Sequence, residues 1–118
     1  MKFPENRVTP QLIEDQIEHV HYFTAREGVL GNRLAALPDE GGTVTNDDIP
    51  EPLSLITICV VTFKNGWTLL GKSACADPAN FDAEIGCNVA RQDAINQAWP
   101  VLGFMLRDQL HQAEQAKA

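Results

Sequence analysis

A chain of 118 residues with 44% hydrophobic residues has room for one domain with a modest core. Its formal net charge of −7 argues against general nucleic-acid binding, which needs clustered Lys and Arg to displace counterions. No apolar run approaches the ~20 residues of a membrane span.

The N-terminal MKFPENRVTP lacks the apolar segment of a signal peptide, so the expected location is the cytoplasm. Thr9-Pro10 supplies an N-cap and a first helical proline, and Leu12, Ile13, Ile17 and Val20 follow at helical spacing. The pattern predicts a helix over Pro10–Tyr22. On such a helix His19 and His21 point apart and cannot share a metal. Residues 26–52 read as mainly irregular, with one helical turn at Leu34–Leu37 before Pro38. The segment 38–52, DEGGTVTNDDIPEP with its flanking residues, holds Asp39, Glu40, Asp47, Asp48 and Glu51 and is expected to be a mobile acidic loop.

The stretch Leu55–Trp99 organises the rest. Two apolar runs flank Asn65-Gly66, a strong signal for a two-residue type I′ hairpin turn. That turn pairs Lys64 with Trp67, Thr62 with Leu69 and Val60 with Gly71. Side chains alternate along a strand, so Ile56, Ile58, Val60, Trp67 and Leu69 share one face. Leu55, Cys59, Val61, Phe63 and Leu70 share the other. Both faces are apolar, and an isolated two-stranded ribbon is marginal in water. Either the N-terminal helix covers the second face or a partner does. A homodimer with hairpins paired edge to edge or face to face is the expectation, with Phe63, Trp67, Gly86 and Ala90 at interfaces.

Asp77-Pro78 is read as the start of a long helix. Phe81, Ile85, Val89, Gln92, Ile95, Trp99, Leu102, Leu106 and Leu110 recur at spacings of three or four, and Gly86, Ala90, Ala94 and Ala98 recur every four residues. The small residues predict a tight seat on the hairpin or on a partner helix. Pro100 lacks an N–H and clashes with the carbonyl of Asn96, which predicts a kink or break there. The fold class is therefore α+β, an N-terminal helix, an antiparallel hairpin and a long C-terminal helix in one domain.

Gly66-Trp-Thr-Leu-Leu-Gly71-Lys72-Ser73 matches the phosphate-binding pattern G-x-x-x-x-G-K-[ST]. A P-loop needs a flexible loop between its glycines and a helix starting at Lys-Ser, whereas this stretch is strand. The pattern is fortuitous. Lys72–Asn80 is the better candidate for a small anion, because a strand end and a helix N-terminus converge there. Lys72, Ser73, Asn80 and Arg91 are its candidate ligands, against the opposing Asp77, Asp82 and Glu84. Cys75 lies where a helix dipole is expected to lower its pKa, but no histidine is placed nearby to make a catalytic pair. Cys59, Cys75 and Cys87 have no paired spacing, which points to reduced thiols and away from zinc. No cofactor is expected, and no catalytic residue is assigned.

FKNGW, GKSAC, NFDAEIG, the pair Ala94 and Trp99-Pro100, and HYFTAREG together resemble a family of short tailed-bacteriophage and prophage proteins of unknown function. The resemblance covers most of the chain outside the acidic loop. It implies a phage-encoded accessory protein in the host cell cytoplasm and transfers no catalytic residue. Small phage proteins of this architecture also look like sponges that sequester nucleotide signals of bacterial immunity. The expected function is therefore a non-enzymatic homo-oligomer binding a small anionic nucleotide to counter host defence. The alternative is a module binding a host or phage protein.

Overall fold

Three strands and one long helix set the architecture of the computed structural model, which describes residues 1–117. Helix α1 spans Pro10–Gln16, strand β1 Ile17–Thr24, helix α2 Ala25–Ala35, strand β2 Ile56–Phe63, strand β3 Thr68–Ala74 and helix α3 Ala83–Ala116. The strands form one antiparallel sheet in the order β1-β2-β3.

The first helix starts as expected, with the Thr9 hydroxyl accepting from the Leu12 N–H. It stops at Gln16 instead of running to Tyr22. Ile17 to Thr24 is a strand, because it is rich in β-branched and aromatic residues and the free edge of β2 offers backbone partners. The register slips by one residue between Ile17 and His19, a bulge that resets the alternation. Beyond the bulge the strand is regular, and His19 and His21, two residues apart, share a face with ring centroids 6.1 Å apart. The expectation that they diverge fails with the helix that carried it.

A second helix stands where irregular chain was expected. Thr24 and Glu27 form a reciprocal capping box, each side chain taking the other's backbone N–H, and α2 follows. Arg33 holds the acidic segment against α2 by a two-pronged contact to Asp48 at 2.7 and 3.1 Å. It also donates to the Thr45 carbonyl.

The hairpin is present, but its loop has three residues. The Gly66 N–H donates to the Phe63 carbonyl, the Phe63 N–H donates to the Trp67 carbonyl, and Gly66 sits at φ +90°. This is a type I turn followed by a left-handed glycine, which leaves Asn65 at negative φ and adds one residue to the expected turn. Val60 therefore pairs with Leu70 and Cys59 with Gly71. A one-residue slip exchanges the faces of β3. Leu69 turns inward beside Val61, while Leu70 turns outward and is 59% exposed.

α3 lies across the inner face on its small-residue line. A Cβ on Gly71 would stand 2.0 Å from the Ala90 carbonyl oxygen, and one on Gly86 would stand 2.6 Å from the Thr57 hydroxyl. The core contains Ile13, Cys59, Val61, Phe63, Leu69, Ala90, Ala94, Ala98 and Leu102. α1 packs beside α3 on this same side, so it does not cover the outer face. α2 reaches only the Phe23 end of that face, where the ring would lie 3.4 Å from a Cβ on Gly28. Ile56, Ile58 and Val60 stay half-buried, and Leu70 is open.

The long helix begins at Ala83, with Asp82 as its N-cap. Asp77-Pro78 opens only a single 3-10 turn over Pro78–Asn80. No break occurs at Pro100. Pro100 and Asn96 are both exposed, so the carbonyl that loses its N–H partner faces solvent. The 34-residue helix is about 51 Å long at 1.5 Å per residue and overhangs the sheet. The radius of gyration is 19.5 Å, against about 13.5 Å for a compact domain of this length. Extents of 65 × 38 × 18 Å describe a thin, elongated plate two layers deep.

Candidate functional site

Beside the start of α3, the end of β3 and the 3-10 turn enclose a cleft of about 260 Å³. Ser73 comes from β3, Asn80 from the turn, and Asp82, Ile85 and Val89 from α3 and its cap. Leu55 and Phe81 complete apolar walls. The sequence reading placed four ligands here, and the structure brings only Ser73 and Asn80 together. Lys72 stands outside the lining. Arg91 leaves the other flank of α3 to meet Glu14 at 3.0 and 2.7 Å. The Arg91 hydrogen bonds hold the Glu14 carboxyl below its usual range, and the same bonds raise the Arg91 guanidinium.

No cationic side chain lines this cleft among the described residues. The first N–H groups of α3 are partly taken by Asp82, whose Oδ1 accepts from Ile85 at 3.1 Å. Asp77 similarly accepts from Ala79 at 3.0 Å. Taken alone, the cleft suits a ligand with hydroxyl or amide groups and an aromatic or apolar body. Lys72 and Ser73 lie inside strand β3, which removes the helix N-terminus that a P-loop requires.

The Cys75 thiol is half-buried and donates to the Asp77 carbonyl at 3.2 Å. Burial pushes the Cys59 thiol up, which keeps it protonated and unreactive. Among the described residues all three cysteines are free, and no group of three or more His, Cys, Asp or Glu is placed to hold a metal.

A second concavity lies at the other end of the inner layer. Phe63, Trp67, Pro100, Val101, Phe104 and Met105 line a groove of about 490 Å³, with Trp67 54% and Phe104 74% exposed. Of the four residues expected at interfaces, Trp67 remains available. Phe63, Gly86 and Ala90 are buried within the chain by the contact between α3 and the sheet.

Two side chains on α3 have a role that spacing alone does not disclose. Asp93 accepts the Lys72 backbone N–H at 2.9 Å, and the Gln97 amide donates to the Leu70 carbonyl at 2.7 Å. Both backbone groups point off the free edge of β3, so α3 caps that edge against edge-to-edge pairing of hairpins. The other edge of the hairpin is taken by β1. Only knowledge of which edge α3 overlies reveals this.

These features define an elongated α+β protein with a single antiparallel sheet, one clamped edge and open concavities on the helix side. Residues 8–110 match the profile of the Phage protein (N4 Gp49/phage Sf6 gene 66) family, and the chain belongs to that family. No curated protein and no solved structure matches it. Among the described residues no helix is long and apolar enough to cross a membrane.

Proposed function

We propose that this phage protein acts by capture and not by catalysis, holding a small nucleotide-type signal of host defence in the cleft at Ser73–Asn80. The observation that carries this reading is the convergence of Ser73 and Asn80 with the aromatic Phe81 in one cleft. A hydroxyl and an amide suit the edges of a base or ribose, and the ring suits its face. Calorimetry against cyclic di- and trinucleotides and ADP-ribose derivatives tests it. Saturable heat with one of them, lost in Asn80→Ala with Ser73→Ala, is the expected result. No heat with any of them overturns the reading.

The apolar groove around Trp67 and Phe104 favours a second reading, a module that docks on another protein. A host or phage protein captured by the wild type and lost with Phe104→Ala would favour it.

A further inference from the structure

One line of side chains on α3 faces away from the sheet at alternating spacings of four and three. It contains Ile85, Val89, Gln92, Asn96, Trp99 and Gly103. This is the spacing of a two-helix seam. Ile85, Val89 and Trp99 are 61%, 49% and 37% exposed. Between them, the exposed Gln92 amide donates to Asn96 at 2.8 Å.

Gly103 is the informative member. The missing Cβ of Gly71 and that of Gly86 are explained inside the chain by Ala90 and Thr57, but a Cβ on Gly103 would meet nothing within 4 Å. Glycine in a helix interior is unfavourable relative to alanine. Gly31 on α2 is equally open, so openness alone marks no partner; what sets Gly103 apart is its place in this line, one step beyond Trp99, where it leaves a notch in a row of exposed side chains.

We infer that a second copy of the chain fills this notch, its α3 running antiparallel along the same line. In that register Ile85 falls opposite Gly103 of the second copy, Val89 opposite Trp99, and Gln92 opposite Asn96. Large meets small at both ends and amide meets amide at the two-fold axis. A parallel pair would instead set Trp99 on Trp99 and leave a hole between two glycines. Charge fits the same register. One turn past the notch, Arg107 comes opposite the acidic first turn of the second copy, at Asp82 and Glu84. Among the described residues, the partner of Arg107 in its own chain is the exposed Glu114, at 3.1 Å. With the β3 edge capped, edge-to-edge pairing of hairpins is closed and this helix face stays open.

The arrangement also completes the cleft. Ile85 and Val89 belong both to the seam and to the cleft wall. Trp99 and Arg107 of the second copy would therefore cover its mouth and bring the cation that one chain lacks. That consequence rests on the capture reading, and the pairing itself does not.

Light scattering on the full chain without nucleotide tests the pairing, at about 100 μM, a hundredfold above a micromolar Kd. The expected mass is about 26 kDa, twice the 13.0 kDa of one chain. Gly103→Leu fills the notch and should give a monomer with an unchanged circular dichroism spectrum, since the position is open within the chain. Arg107→Glu should weaken the dimer, and adding Glu84→Arg should restore it. A monomeric wild type, or Gly103→Leu that pairs like the wild type, overturns the proposal. A charge swap that restores nothing overturns the antiparallel register. A dimer giving no heat with any nucleotide removes the capture reading and leaves the seam, whereas a monomer that binds one does the reverse.

Discussion

Arg91 pairs with Glu14 on α1, away from Ser73 and Asn80, its expected neighbours. Arg91 stood out as a cation on the long helix, and its number gave no hint that it faces α1. Its fork meets both oxygens of Glu14, with side chains 34% and 42% exposed. A pair this open contributes up to about 1 kcal/mol. Because Arg91 holds the Glu14 pKa below its unfolded value, that contribution is present above the usual carboxylate range. It is lost as pH falls through the lowered pKa. Denaturation of wild type and Glu14→Gln should therefore differ at pH 7, and the two curves should converge under acid conditions. A gap that persists unchanged at low pH would contradict the assignment.

At the scale of elements, legibility followed the strength of the local signal. The hairpin, the N-cap of α1 and the long helix carried strong turn, cap and period signals for the presence of each element, and weaker ones for its bounds. Ile17–Thr24 did not. Ile17 and Val20, three residues apart, suit a helical stripe and share a strand face only through the bulge between Ile17 and His19, so the vacant edge of β2 decides. The α2 start was legible in Thr24-x-x-Glu27, a capping box hidden by the short, glycine-containing helix behind it. The loop register was not, since Asn-Gly serves both two- and three-residue hairpins. Of the candidate site, Ser73 and Asn80 were legible because a strand end and a turn lie close in sequence. The small-residue line predicted the seat of α3, and its sharpest contact is at Gly71. Gly71→Ala sets a Cβ 2.0 Å from backbone and should cost about 3 kcal/mol or more. Thermal melting should show a midpoint about 10 °C lower or worse. Gly31→Ala is the control, because that helical position is open and should be unaffected or slightly stabilised.

The molecule as a whole is a plate with one face built and the other only partly covered. The expectation that the hairpin has more apolar surface than one chain covers holds for Ile56, Ile58, Val60 and Leu70, which receive neither α1 nor α3. What sequence reading lacked was the side on which α1 would land. That depends on Ile13 reaching the same core as Ala94 and Val61, a contact between distant parts of the chain.

A naked β-strand rim is a template on which identical strands add without limit. Here a carboxylate and an amide borrowed from the neighbouring helix occupy that rim at two points, Asp93 on Lys72 and Gln97 on Leu70. Replacing both by alanine should leave the helix in place while opening the way to fibrils, detectable as thioflavin fluorescence that grows on standing at concentrations where the wild type stays dark. The two side chains would then be counted as guards against polymerisation, set outside any pocket.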